Sequence, residues 1–307
     1  MAKSTREAYG QALAELGKVN DKIVAMDADL SGSTKTATFA KAFPDRFFNF
    51  GIAEADMVCA AAGFAFSGYI PFVSTFAMFG SGRAYEQIRN TVAYTNANVK
   101  LAFSHSGLSV GEDGGSHQAL EDISLLRTLP NMTVFCPCDA NEAVKATKAA
   151  AEIVGPVYLR LSRPNTDVIT AEDDPFIPGK ANMLREGTDA AIFATGLMVQ
   201  RALKAADMLA EEGISAAVVN FHTIKPIDEE CILGYNAKVR AIVTAEEHFI
   251  TGGLGSAVAE VLAGNAGARF GRIGVNDKFG QSGSPDILFE KYGLTAEAIA
   301  AKVKALL

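Results

Sequence analysis

Short apolar runs rich in β-formers alternate with helical segments along this chain, and that alternation predicts an α/β fold. Two consecutive domains are expected, each a mainly parallel sheet flanked by helices. Three observations carry the expectation. The alternation occurs twice, once before residue 165 and again from residue 189. Between the two sets Asp173, Asp174, Pro175, Pro178 and Gly187 break any period, so 166–188 reads as a linker with a strand or two. Hydrophobic residues make up 49% of the 307, enough for a sizeable core. The expected division is therefore 1–165, a linker over 166–188, and 189–307.

The elements follow in order. Residues 5–16 carry apolar side chains at helical spacing and open the chain as a helix. Residues 23–26 form a strand that runs into Asp27-Ala28-Asp29-Leu30 and a small polar loop, SGST. Residues 47–50 form a strand leading into GIAE. The apolar run 57–66 reads as a buried helix, too short to span a membrane, and 70–76 as the next strand. Glu54 thus falls at a strand-to-helix junction, where α/β sheets place their chemistry. Its neighbours Gly51, Ile52, Ala53 and Ala55 give it few charges to pair with. The plain alternative is a first-turn glutamate favoured by the helix dipole. Residues 83–94 look helical. Residues 99–103 form a strand that enters the loop SHSGLSVGEDGGSHQ. A helix over 119–129, a strand over 132–136, a helix over 140–153 and a strand over 156–161 complete the first set. Past the linker, strands at 190–194, 216–221, 241–245 and 272–275 alternate with helices at 199–212 and 254–262. Helices at 287–292 and 296–306 close the chain.

The totals exclude several classes. A net charge of −7 argues against a general nucleic-acid or anionic-membrane surface. Cys59, Cys136, Cys138 and Cys231 show neither metal-ligand spacing nor a secreted disulfide pattern. The start, MAKSTREAYG, lacks the apolar core of a signal peptide. A cytoplasmic setting is expected, with no nucleic-acid and no membrane partner.

The loop after residue 103 is the most unusual stretch. It holds His105, Glu112, Asp113 and His117 among Gly107, Gly111, Gly114 and Gly115, and so contains two of the four histidines. Glycines let backbone approach a ligand, and histidines and carboxylates suit hydroxyl binding and proton exchange near neutral pH. A metal site from His105, Asp113 and His117 would match no familiar ligand pattern. Phe76 and Phe79 end the preceding strand, where aromatic rings either stack on a flat heterocycle or pack in the core. Arg6, Ser33 and Arg163 lie in separate loops or helix starts, and arginine suits phosphate through its planar fork of donors. Gly80-Ser81-Gly82 and Gly252-Gly253-Leu254-Gly255 both precede helices, but neither completes the dinucleotide fingerprint.

Taken together, TREAYG, ADLSGS, FFNFGIAEADM, PFVSTFAMFGSGRAYEQIR, SHSGLSVGEDGGSHQ, LPNMTVFCPCDANE, YLRLSRPN, TIKPID, EEHFITGGLGSAVAE and FGQSGSPDILFEKYGL resemble the transketolase family of thiamine-diphosphate enzymes. The resemblance covers essentially the whole chain, but only the C-terminal half of a full-length transketolase. It implies a pyrimidine-binding domain followed by the transketolase C-terminal domain. The family's diphosphate-binding half carries Gly-Asp-Gly and paired asparagines around Mg²⁺, and this sequence contains neither string. The resemblance therefore implies one subunit of a split transketolase. Its partner would be an N-terminal, diphosphate-binding subunit that holds most of the Mg²⁺ (or Ca²⁺), in an α2β2 assembly acting on sugar phosphates.

The same resemblance implies roles. Glu54 resembles the glutamate that hydrogen-bonds the aminopyrimidine ring, where a carboxyl in an apolar pocket more readily holds a proton. Phe76 and Phe79 correspond to the aromatic pocket around that ring, and Asp29 to an acid near the coenzyme. His105 and Arg163 match residues that grip the sugar-phosphate tail, with Arg6 and Ser33 beside them. Asp113 and His117 match residues at the sugar hydroxyls and the reacting carbonyl. Competing readings are a deoxyxylulose-phosphate synthase-like chain, a 2-oxoacid dehydrogenase beta-like component, and a regulatory subunit without catalysis. The intact SHSGLSVGEDGGSHQ loop speaks against the first two, and Glu54 with Arg163 against the third.

Overall fold

The computed structural model describes residues 2–307. Its first half runs α1 (Thr5–Val19), β1 (Ile23–Asp27), α2 (Ser31–Thr34), α3 (Ala37–Ala42), β2 (Phe47–Asn49), α4 (Glu54–Phe66), β3 (Ile70–Phe76), α5 (Tyr85–Gln87), β4 (Lys100–Ser104), α6 (Asp122–Arg127), β5 (Thr133–Phe135), α7 (Ala140–Glu152) and β6 (Val157–Arg160). The second half runs β7 (Asn182–Arg185), β8 (Ala190–Ala194), α8 (Met198–Glu211), β9 (Ala216–Asn220), β10 (Thr223–Lys225), α9 (Glu229–Asn236), β11 (Ala241–Phe249), α10 (Leu254–Leu262), β12 (Arg269–Val275), α11 (Pro285–Lys291) and α12 (Ala296–Leu306). The α/β class is the one that the alternation predicts.

The first sheet has the order β10-β5-β6-β4-β3-β1-β2 and is parallel except for β10. The second has the order β12-β11-β8-β9-β7 and is parallel except for β7. Their central strands are buried on both faces, as parallel sheets require. Period-two alternation sorts the side chains. Ile23 and Ala25 of β1 pack with Tyr9 and Leu13 of α1 and Ala143 and Ala146 of α7. Val24 and Met26 point the other way, towards Met57 and Val58 of α4. The chain steps from β1 out to β2 and returns to β3 on the other side of β1. That reversal opens a crevice at the carboxyl ends of β1 and β3, where ligands of open α/β sheets bind.

Three departures from the sequence expectation have local causes. Residues 31–34 and 37–42 are short helices, because the buried Asp27 carboxylate gathers the turn between β1 and α3. It accepts from the Leu30 N–H and from the Thr34 and Thr36 hydroxyls, the last two at 2.6 and 2.8 Å. Residues 83–94 are no regular helix: wide π-type turns over Phe79–Arg83 and Ile88–Ala93 flank α5. Finally, β10 leaves the second half and pairs antiparallel with β5 at the edge of the first sheet. One core runs through both halves, joining Val73 and Leu101 to Phe193, Val219 and Ile242. Among the described residues no helix is long and apolar enough to cross a membrane.

Polar groups lock the joint between the halves. Arg160 Nε donates to Asp122 Oδ2 at 2.7 Å, and its Nη2 donates to Asp122 Oδ1 at 3.2 Å and to the Glu247 carbonyl at 2.9 Å. The Tyr158 hydroxyl donates to the same Asp122 carboxylate. Burial opposes the charge on Asp122, but the Arg160 guanidinium prevails and holds this carboxyl below its usual range. Replacing Asp122 by Ala leaves that guanidinium buried and unpaired, which typically costs about 3–5 kcal/mol. Denaturant unfolding should show that loss as a lower midpoint. A change below about 1 kcal/mol, the size of a surface pair, would contradict the joint.

Candidate active site

The candidate residues meet at the carboxyl edge of the first sheet. Asp29 and Ser33 follow β1, Glu54 follows β2, Phe76 ends β3 and Phe79 follows it, His105 follows β4, and Arg163 follows β6. Arg6 joins them from the first turn of α1.

Glu54 is the first residue of α4 and only 1% exposed. Its sequence neighbours offer few charges, but a distant residue supplies one. Arg83 Nη1 lies 2.9 and 3.1 Å from its two oxygens and donates to both. Arg83 follows the wide turn after β3, far from Glu54 in sequence, so the neighbours of Glu54 could not reveal it. Its guanidinium also lies 4.8 Å from the Phe79 ring centroid.

Phe79 and Phe76 stack with centroids 5.9 Å apart, and His105 lies against Phe76 at 3.8 Å. The His117 ring meets Phe79 edge-on at 5.2 Å. His105 adopts φ +59, a conformation uncommon for a side chain of this size. Its Nδ1 is 2.8 Å from Ser104 Oγ, and its Nε2 is 3.5 Å from Arg6 Nη1. A guanidinium can only donate, so Nε2 accepts and Nδ1 carries the proton given to Ser104. Burial first, then Arg6, Arg163, His117 and Lys35, push the His105 pKa down to about 3. The imidazole is therefore neutral at physiological pH.

Two guanidinium groups share the next corner. Arg6 Nε donates to the Arg163 carbonyl at 3.2 Å, and its Nη1 donates to the Ser33 carbonyl at 2.8 Å. Burial and the Arg163 charge lower the Arg6 pKa. Arg163 Nη1 donates to the Val110 carbonyl and lies 3.3 Å from the exposed Glu112 carboxylate. An anion would relieve the repulsion between the two cations, and Glu112 sits where such an anion could bind.

The loop glycines have a different use from the expected one. Side chains on Gly107 or Gly114 would collide with Glu247 or Ser282, and one on Gly115 would lie 2.7 Å from the Gly280 carbonyl. These glycines admit the second half of the chain. Asp113 is exposed beyond the turns of Leu108–Asp113, and Asp29 is exposed and hydrogen-bonded to Asn49 at 3.1 Å. The amides ahead of α10 hold no free anion site, because Glu246 accepts from Leu254 and Gly255 N–H at 2.7 and 2.8 Å. Sequence reasoning missed Arg83 and Asp27. A lone arginine within the apolar run FAMFGSGR was the available signal for the first.

A buried acid, flat rings and cations gathered where a parallel sheet reverses mark the ligand site of an α/β protein. A family model described as transketolase, pyrimidine binding domain, matches residues 1–168, and one described as transketolase, C-terminal domain, matches residues 179–299. The chain belongs to the transketolase family. A protein of Methanocaldococcus jannaschii provisionally named transketolase C-terminal section is 50% identical over 98% of this chain and 95% of its own length. The 6-deoxy-6-sulfo-D-fructose transketolase subunit SqwH of Clostridium sp. is 45% identical over 96% of this chain and 91% of its own. Human transketolase is 39% identical, and the match spans 99% of this chain but 49% of the human protein. A solved structure titled split gene transketolase, inactive beta4 tetramer, superposes with a TM-score of 0.92 at 51% identity, covering 100% of this chain and 99% of that one.

The residues fit the pyrimidine end of thiamine diphosphate. A buried carboxylate offers a hydrogen-bond partner beside two stacked phenyl rings that suit a flat heterocycle. Among the described residues no group of three or more His, Cys, Asp or Glu could hold a metal ion.

The neutral His105 predicts acid sensitivity. Between pH 6.5 and about 3 the unfolded chain binds a proton here that the folded chain refuses, so stability falls as pH drops through that window. His105→Asn removes the titration and tolerates the positive φ. Its melting temperature should fall less between pH 7.5 and pH 5 than that of the parent protein, and equal falls would contradict the assignment.

Proposed function

We propose that this chain is the C-terminal subunit of a split, thiamine-diphosphate-dependent transketolase that moves a two-carbon glycolaldehyde unit between sugar phosphates. The carrying observation is Glu54, a buried carboxylate at the head of α4 beside Phe76 and Phe79. Glu54 hydrogen-bonds the aminopyrimidine ring and shares a proton with it. Arg83 orients both carboxylate oxygens; half of its side chain faces solvent, which leaves it room to move. Phe76 and Phe79 line the slot for the ring, and Asp29 stands near it at the end of β1. When bound, the coenzyme supplies the nucleophilic carbon.

The loop handles the sugar. Arg163 and Arg6, with Ser33 beside them, grip the anionic tail, and the neutral His105 offers them an uncharged acceptor. His117 and Asp113 contact hydroxyls and move protons near the reacting carbonyl. One relative is named for a sulfo sugar, and a sulfonate, like a phosphate, is an anionic tail suited to two guanidinium groups. Synthases of deoxyxylulose phosphate are among the relatives at 40% identity. The loop SHSGLSVGEDGGSHQ, with His105 at its start, favours ketol transfer over that reading.

The diphosphate and its Mg²⁺ (or Ca²⁺) belong to an N-terminal partner subunit, and the working assembly is α2β2. Support comes from the absent Gly-Asp-Gly and paired-asparagine strings, and from the neighbour whose title calls its tetramer inactive. Pentose phosphate interconversion in the cytoplasm suits a chain whose cysteines are all free.

Mixing tests the reading. The purified chain alone should show no ketol transfer; addition of a diphosphate-binding subunit, thiamine diphosphate and Mg²⁺ should produce it. In that mixture Glu54→Gln keeps the shape but cannot share the proton, and turnover should fall about 10²–10⁴-fold. Robust turnover by the chain alone, or a fully active Glu54→Gln mixture, would contradict the proposal.

A further inference from the structure

One buried acid at the joint has no part in the chemistry above. Glu247 lies on β11 in the second sheet and is 2% exposed. Its carboxylate accepts from the Ser109 backbone N–H in the loop of the other half. It fills the space in which a Gly107 side chain would sit, and Gly107 has φ +78, so only glycine suits that position. The Glu247 carbonyl is fixed from behind by Arg160 at 2.9 Å.

The contact continues towards the site. Ser109 is followed by Val110, whose carbonyl accepts from Arg163 Nη1. Glu247 thus fixes one end of a two-residue segment, and the other end aims the Arg163 guanidinium. Gln118 braces the same turn: its Nε2 donates to the Leu108 carbonyl at 3.2 Å, the Gly111 carbonyl at 3.3 Å and the Gln281 carbonyl at 3.0 Å.

From this geometry we infer that Glu247 is a positioning residue, through which the C-terminal domain sets the direction of Arg163 and so the enzyme's preference for sugars with an anionic tail. The inference rests on the proposed role of Arg163. A displaced guanidinium still carries its charge but loses the alignment that makes a forked contact strong.

The test uses the reconstituted complex with D-ribose 5-phosphate and D-ribose as acceptors. Glu247→Ala should raise the KM for ribose 5-phosphate about tenfold, with the KM for ribose and both kcat values nearly unchanged. Glu247→Gln keeps an acceptor oxygen at the same reach and should restore the parent ratio. Glu247→Asp keeps the charge but falls short of Ser109, and it serves if the alanine variant does not fold. A second readout needs no coenzyme: amide hydrogen exchange over residues 108–111 of the chain should quicken in Glu247→Ala and stay slow in Glu247→Gln.

Arg163→Ala runs alongside and should raise the KM for ribose 5-phosphate about ten- to hundredfold. A phosphate-selective loss in Arg163→Ala without one in the Glu247 variants overturns the positioning role alone. No selective loss in Arg163→Ala overturns the tail-binding reading and this inference with it. Equal losses on both sugars, unrelieved by glutamine, would make Glu247 merely structural.

Discussion

The buried guanidinium of Arg160 is the contact on which the two halves depend. It ends β6, pairs with Asp122 of α6, and donates to the Glu247 carbonyl of β11. A charge this deep is tolerable only when nearly every donor finds an acceptor, so the three elements must arrive together. The loop of 105–118 lies across that joint, with Glu247 beneath Gly107 and Ser109 and the Gly280–Gly283 segment against Gly111–Gly115. The loop is therefore built by both domains although it belongs to one. Its glycines answer first to the second half of the chain, while His105 and His117 lie against Phe76 and Phe79 at the edge of the sheet.

That edge is electrostatically divided. At one end Glu54 and Arg83 form a buried-to-exposed pair beside the aromatic slot. At the other, burial first and then the cationic corner of Arg6, Arg163 and Lys35 keep His105 neutral. Between them lie Phe76, Phe79 and the two loop histidines. One end suits a heterocycle that needs a proton partner, and the other suits an anionic sugar tail. Under the proposed function, the span between them is where the two-carbon unit would change hands.

Much of this was legible in the sequence because it is periodic or local. The apolar runs 23–26 and 190–194 announce strands buried on both faces. Glu54 was visible as an acid ending GIAE ahead of an apolar helix. What stayed hidden depends on distant pairing. Arg83 meets Glu54 only because β3 brings the next turn back over α4. The strand Thr223–Lys225 is too short to show a period, and its partner β5 lies in the other domain. Glu246, Glu247 and His248 read as the polar end of a strand, yet all three are buried, because Gly255, Ser109 and Ser124 supply their donors.

The account assigns the pyrimidine end of the coenzyme to this chain and the diphosphate end to its partner. Calorimetric titration of thiamine diphosphate with Mg²⁺ into the chain, into a diphosphate-binding subunit, and into their mixture tests that division directly. The account predicts saturable binding to the mixture much tighter than to either chain alone, and a weakening of that binding when Phe79 is replaced by Ala. Binding to the partner alone that is as tight as binding to the mixture would contradict it.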